Sequence, residues 1–193
     1  MNKDNMSKEQ KILLGHGSGG KLMSELIHDE IVSIFGKDSI QLDDSAVLSI
    51  PADKIAFTTD SYTITPIFFN GGDIGSLAVN GTVNDLAVMG AKPKYISCAL
   101  IIEEGFEMES LQQILRSMKE SADKADVKIV TGDTKVVDSG KADKIFINTA
   151  GIGERLPGFQ ISPTTLREGD HVLVSGPIAD HGFAVLAARE SIH

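Results

Sequence analysis

The apolar residues of this chain come in short runs whose spacing switches repeatedly between the two-residue period of a strand and the 3.6-residue period of a helix. Residues 95–102, reading Tyr-Ile-Ser-Cys-Ala-Leu-Ile-Ile, form a buried strand by this criterion, and residues 108–125 place Leu111, Ile114, Leu115 and Met118 on one helical face. Residues 127–130 are a short apolar strand, and 144–152 another, closed by Gly151 and Gly153. Upstream, Leu22, Leu26, Ile27, Ile31 and Ile34 give 21–35 a helical stripe that Gly36 stops. Two strands, 46–50 and 55–58, flank a hairpin turn at 51–54. After a loop at Gly71-Gly72, the Gly- and Ala-rich run 73–89 predicts a closely packed helix. The resulting order predicts an α+β fold, with helices on one face of a mostly antiparallel sheet. The other face would still be apolar, and dimerisation is the economical way to cover it.

Beyond Gly153 the character changes. Residues 154–168 hold two prolines and several turn formers, as a linker does, while 170–175 and 181–190 read as a new strand and helix. One strand and one helix cannot enclose a core. The expected organisation is a flexible Gly-rich segment (1–20), a main domain (21–153), and a linker with the incomplete start of a second α/β domain (154–193).

A formal charge of −9 argues against a broad nucleic-acid surface, because phosphate-backbone affinity depends on many Lys and Arg contacts. The single cysteine, Cys98, excludes an intramolecular disulfide and suits a reducing, cytoplasmic setting; its apolar neighbours make it a packing residue. The first residues are polar and of mixed charge, with no apolar leader, and no run is long enough to cross a bilayer.

Acidic motifs interrupt the apolar runs at Asp43-Asp44, Thr59-Asp60, Asn84-Asp85 and Thr131-Gly132-Asp133-Thr134. Carboxylates repel phosphates, so such a set holds a nucleotide only through cations, for which Mg²⁺ is the usual choice. Asp60 and Asp133 each follow an expected strand, so adjacent strands would deliver them to one rim, with Gly132 permitting a sharp turn. Asn80 and Asn84 stand four residues apart, and with Asp85 suggest a lined cavity or an internal hydrogen-bonded network. Lys135 follows the Thr-Gly-Asp-Thr element and could neutralise phosphate charge or simply be solvated.

Gly15-His16-Gly17-Ser18-Gly19-Gly20-Lys21 matches the dinucleotide fingerprint and most of a phosphate-binding loop, with Leu22 where Ser or Thr belongs. Only three apolar residues precede it, so neither motif has its strand. A segment folding over phosphates through its N–H groups and Lys21 is one reading, and a mobile loop before a helix is the other. The five histidines show no metal-ligand spacing, and only His16 lies within a candidate site.

Five motifs in fixed order carry a resemblance. They are Gly15–Gly20, Asp43-Asp44-Ser45-Ala46-Val47, Phe57-Thr58-Thr59-Asp60-Ser61, Asn84-Asp85-Leu86-Ala87-Val88-Met89-Gly90-Ala91, and Val130 to Val137. Together they resemble the ATP-binding superfamily of aminoimidazole ribonucleotide synthetase, selenophosphate synthetase and thiamine-monophosphate kinase, with a PurM N-terminal-like domain. Pro66-Ile67-Phe68-Phe69 and Phe146-Ile147-Asn148-Thr149-Ala150-Gly151 narrow it to the HypE family of [NiFe]-hydrogenase maturation proteins.

The resemblance implies a homodimer whose two sheets join into a barrel, with ATP in the groove beside it. Mg²⁺ would bridge the phosphates to Asp43, Asp44, Asp60, Asp85 and Asp133. Gly17, Gly19, Gly20, Lys21, Asn84, Thr131, Gly132, Lys135 and Asn148 would contact the nucleotide. It further implies ATP-dependent dehydration of a carbamoyl group carried on a C-terminal cysteine, giving a thiocyanate. HypF would donate the carbamoyl group, and a HypC–HypD complex would accept the cyanide. Residues 1–193 contain no such cysteine, so the chain alone is expected to bind but not to turn over. Another synthetase or kinase of the superfamily, or a non-catalytic dimerisation module, are the competing readings.

Overall fold

The computed structural model describes residues 11–36, 45–158 and 161–190. They fall into two compact units, the first reaching to Phe159 and the second starting at Gln160.

The first unit is built on a four-stranded sheet of β1 (Ile55–Tyr62), β4 (Ala91–Glu103), β5 (Lys128–Val137) and β6 (Ile145–Arg155), in the order β1-β6-β4-β5. A two-stranded ladder, β2 (Phe68–Phe69) with β3 (Gly72–Asp73), lies apart from it. β1 and β4 each run antiparallel to β6, whereas β4 and β5 are parallel, so the sheet is mixed. The parallel pair follows from its connection, since α4 (Met108–Lys124) carries the chain back to the same end of the sheet.

One face of the sheet carries the core. Ile96, Leu100, Ile102, Ile145 and Ile147 are buried there beneath α3 (Ile74–Val88) and α4. α4 forms because its apolar residues recur every three or four positions, and Leu111, Ile114, Leu115 and Met118 are almost wholly excluded from water. Burial of each such side chain is worth about 1.5–3 kcal/mol. α3 opens at Asp73, whose Oδ1 accepts from the Gly75 and Ser76 N–H groups (2.7 and 2.9 Å) and from Ser117 Oγ. Such a cap is worth about 1 kcal/mol. α3 then sits unusually close to its neighbours. A Cβ on Gly75 would lie 2.5 Å from the Ile114 carbonyl oxygen, and one on Gly151 of β6 would lie 2.6 Å from Thr82 Cγ2. The close packing expected of 73–89 is therefore real.

The opposite face is open and partly apolar. Phe57 is 66% exposed, Ile55 53% and Ile101 42%. The register continues this patch through Ile152, opposite both Phe57 and Tyr95, and Phe146, opposite Ile101.

The N-terminal helix begins as α1 (Lys21–Glu25), widens to a π-helix over Leu26–Val32 and closes as α2 (Ser33–Phe35). Gly36, at φ 91°, ends it as the sequence predicts.

Several local expectations need correction. Residues 46–50 form no strand, so the hairpin around 51–54 is absent. β1 and β5 do not stop before their acidic motifs: Thr59-Asp60 and Thr131-Gly132-Asp133-Thr134 lie inside strands. Each is an edge strand of the sheet, where charged residues are tolerated because one margin faces water. The segment before α1 is tied down from Lys11 on. Ile12 is fully buried, its N–H donates to the Phe106 carbonyl (2.8 Å), and Lys11 bridges to Glu107.

The second unit has a 3₁₀ turn, Pro163–Thr165, whose start is capped by Ser162, and the helix α5 (Asp180–Glu190). Residues 170–175 pair with no strand, and Val172 and Leu173 are about nine-tenths exposed.

Candidate functional site

Two acidic stations stand at opposite edges of the sheet. At the β1 edge, Thr58, Asp60 and Tyr62 alternate onto the helix-covered face. Tyr62 Oη donates to Asp60 Oδ2 (3.0 Å), and Thr58 Oγ1 donates to Asp85 Oδ2 of α3 (3.0 Å). Close to Tyr62, Thr82 and Thr149 are both buried and joined through their hydroxyls (2.5 Å). Partial burial is the main reason the Tyr62 phenol is pushed above its ordinary value of 10.0, so it remains a donor. The phenol reaches this position because residue 81 is glycine, where a Cβ would meet Tyr62 Oη at 2.2 Å.

At the β5 edge, Asp133 and Lys135 are exposed while Thr134 and Val136 are buried. The Gly-rich segment packs against this strand. Gly17 lies against Val136 with no space for a Cβ, which would come within 2.6 Å of the Val136 nitrogen. The segment is shaped by His16, which is buried and whose Nδ1 accepts from the Leu13 N–H (2.9 Å). Between α1, its π-helical continuation and β5 runs a groove of about 400 Å³. Gly19, Gly20, Thr131, Gly132 and Asp133 stand around it, and Ile27, Leu100 and Ile129 are among its apolar walls. Residues more than a hundred positions apart in sequence are thus assembled at one cleft.

The two stations do not meet within one chain. Asp60 pairs with Thr149, Thr149 with Cys98, and Cys98 with Gly132, so three strand spacings separate Asp60 from the row of Asp133. At about 4.8 Å per spacing that is about 14 Å. The alternation also sets Asp60 on the covered face and Asp133 on the open one. The single rim expected for Asp60, Asp85 and Asp133 is therefore not formed by one chain, because β1 and β5 are the two edges rather than neighbours. Among the described residues, no three His, Cys, Asp or Glu side chains are grouped closely enough to hold a metal ion. Asp43 and Asp44 lie outside the described residues.

Asn84 and Asp85 are exposed on α3, as is Asn80, so no buried cavity or internal network surrounds them. Lys21 is 87% exposed and paired with Glu25 (3.3 Å). Asn148, on the open face, donates through Nδ2 to the Asp60 carbonyl (2.9 Å) and Ser61 Oγ (3.0 Å). Cys98 is buried, and desolvation raises its thiol to about 12, as its reading as a packing residue requires. The sequence reading missed Thr58 and Tyr62. Their signal was the period-two spacing of Thr58, Asp60 and Tyr62, hidden because the strand was ended at residue 58.

A conserved domain model, the N-terminal domain of AIR synthase related proteins, matches residues 42–155. The chain belongs to that family. Within it, sequence and fold alike match the HypE hydrogenase maturation proteins. Carbamoyl dehydratase HypE of Bradyrhizobium diazoefficiens is 48% identical over 180 residues, covering 93% of this chain and 52% of that protein. The HypE of Escherichia coli is also 48% identical, over 94% of this chain and 56% of the relative. A crystal structure of hydrogenase maturation protein HypE in complex with ATP superposes with a TM-score of 0.90 at 48% identity, over 94% of this chain and 54% of that one. A HypE–HypF complex matches with a TM-score of 0.71 at 48% identity, over 90% of this chain and 55% of the other. The chain thus spans about half the length of the relatives it matches. Among the described residues, no helix is long and apolar enough to cross a membrane.

Proposed function

We propose that this chain is the ATP-binding portion of a HypE-type carbamoyl dehydratase, working as a homodimer in the cytoplasm. The observation that carries the reading is the cleft at β5, where Gly19 and Gly20 face Thr131, Gly132 and Asp133. A Cβ at Gly19 or Gly20 would meet nothing within 4 Å, so their backbone is open to a ligand. Open N–H groups suit phosphate oxygens, and apolar groove walls suit a base. The donor set suits Mg²⁺ as well: Asp60, Asp85 and Asp133 offer hard oxygen ligands, with Asp43 and Asp44 as further carboxylates. When bound, Mg²⁺ would neutralise triphosphate charge.

Because Asp133 stands about 14 Å from the Asp60 station, convergence of the acids needs a second copy. The open apolar face supplies a surface for one. In such a dimer, sheets paired through Phe57, Ile101, Phe146 and Ile152 would form the barrel. Gly17 would fix the Gly-rich segment on β5, while Lys21, Lys135, Asn84 and Asn148 would stand as polar contacts around the nucleotide. Phosphoryl transfer asks a protein mainly for positioning and charge neutralisation, and Lys135 would contribute to the second. Cys98 is no candidate for the carbamoyl-bearing thiol, since it is buried and its thiolate is suppressed. That thiol would be the C-terminal cysteine, with HypF as carbamoyl donor and HypC–HypD as acceptor. Residues from 154 on would form a linker and part of a second domain.

Calorimetry with a non-hydrolysable ATP analogue tests this. Binding that requires Mg²⁺, and is lost in Asp133→Ala with the dimer intact, is the expected result. Equal binding with and without metal would remove the carboxylate–cation reading.

A further inference from the structure

The groove beside β5 has mostly apolar walls, and one hydroxyl is sunk into them without a partner. Thr134 lines the groove and is only 6% exposed, yet among the described residues its Oγ1 makes no hydrogen bond. That oxygen is not sealed off either, because no side-chain oxygen or nitrogen of the described residues is both shut from solvent and unpaired. The little of Thr134 that solvent reaches therefore includes Oγ1, and it opens at the groove. Register places Thr134 beside Leu100 and Gly132 beside Cys98, so the floor around the hydroxyl is apolar. By contrast, Thr82 and Thr149, also buried, satisfy each other through their hydroxyls. The next residue on that face of β5 is Val136, and a valine at 134 would fill the same space without burying an unpaired polar atom.

We infer that Thr134 is a specificity-determining residue of the nucleotide groove, its Oγ1 forming a hydrogen bond with the base while the apolar walls enclose the ring. The inference rests on the ATP reading and adds to it the group that fixes the base. The open backbone at Gly19 and Gly20 suits phosphates, whereas a neutral hydroxyl in an apolar floor suits the edge of a ring. A threonine hydroxyl both donates and accepts, so it can pair with a ring nitrogen or with an exocyclic amino group. In a poorly solvated groove such a bond is stronger than in water. A ligand offering no partner would leave the hydroxyl unpaired and be disfavoured. The cost of an unpaired Oγ1 in the free protein is then offset when nucleotide binds.

The test uses the 193-residue chain. Melting temperature is measured without nucleotide, and affinity for the non-hydrolysable ATP analogue by calorimetry with Mg²⁺. Thr134→Val keeps the branched shape and removes the hydroxyl, while Thr134→Ser keeps the hydroxyl and drops the methyl group. Thr134→Val should melt at or above the parent's temperature yet bind the analogue about five- to tenfold more weakly, the loss of one neutral hydrogen bond. Thr134→Ser should bind as the parent does, and weakening equal to that of Thr134→Val overturns the inference. A hydroxyl serving the fold alone would instead lower the melting temperature and leave affinity unchanged, which overturns it as well. Inorganic tripolyphosphate, which carries no base, should bind Thr134→Val and the parent alike. A matching loss there would put the hydroxyl on the phosphates and remove the assignment to the base. Unchanged analogue affinity in Thr134→Val, with the parent binding well, sinks the inference and leaves the nucleotide reading standing. A parent that binds no analogue sinks that reading, and the inference with it.

Discussion

The two faces of the central sheet are made from the same four strands, yet they obey different rules. On the helix-covered face every position along β4 from Ile96 to Ile102 in steps of two is buried, and glycine is required wherever α3 comes closest. On the open face Phe57, Ile101 and Ile152 sit beside Thr59, Ser61, Asn148 and Asp133, a mixture of apolar and polar groups that solvent tolerates. The first face stabilises the monomer. The second costs the monomer little and is available for something else. The acids of the candidate site are divided between the two faces, which is why a single chain leaves them apart.

The largest expected difference is Ile102→Ala on the covered face. Ile102 is fully buried, and such truncations cost about 2–5 kcal/mol through lost transfer energy and a residual cavity. Chemical denaturation should show the loss as a lower midpoint with an unchanged slope. A cost below about 1 kcal/mol would mean that the core collapses freely and that the two faces are less distinct than their burial suggests.

Gly151→Ala sharpens the same contrast by adding atoms instead of removing them. Its new methyl group would press on Thr82 Cγ2 and Leu86 Cδ1, at 2.6 and 3.1 Å. Overpacking of this kind costs about 1–3 kcal/mol. Gly20→Ala meets open space, and its melting temperature should match the parent's.

How far these features were legible beforehand depended on packing. α4 and the middle of β4 announced themselves because an apolar stripe at one period has a single structural meaning. The close approach of α3 was likewise readable from its glycines and alanines. The ends of β1 and β5 were not. Both continue through polar residues, because an edge strand with one open face can alternate Thr, Asp and Lys outward without penalty. Ending them early turned Asp60 and Asp133 into residues at strand ends, and adjacency was then assumed where the topology puts two strands between them. No local pattern reports strand order, so the motifs themselves could be recognised while their separation could not. Exposure of Asn84 and Asp85 escaped notice for a related reason: α3 is apolar nearly all round, which hides its water-facing side.

Cys98 gives a smaller effect, with a definite sign. Its folded thiol titrates near 12 against an ordinary value of 9.0, because the thiolate is unfavourable when buried. The stabilisation is fully present below pH 9 and is lost as pH rises towards 12, since only the unfolded chain ionises in that window. At about 1.4 kcal/mol per unit, the parent should lose about 1 kcal/mol more than Cys98→Ala between pH 8 and 10. Parallel pH profiles for the two proteins would show that the thiol ionises equally in both states.

The smallest effect on the monomer, and the sharpest on the comparison, belongs to Phe57→Ser. At 66% exposure the ring has little left to lose, and substitutions at exposed positions usually stay within about 0.5 kcal/mol. Under conditions that keep the chain monomeric, its unfolding midpoint should be close to the parent's. If a second copy covers this face, the same ring becomes a buried anchor, of the kind whose removal costs an interface about 2 kcal/mol or more. Sedimentation at micromolar concentration should then show the parent as a dimer and Phe57→Ser shifted towards monomer, and cation-dependent nucleotide binding should weaken in step. A variant that stays dimeric would place the contact elsewhere. One that becomes monomeric yet binds nucleotide normally would show that a single chain completes the site, despite the distance between its two acidic stations.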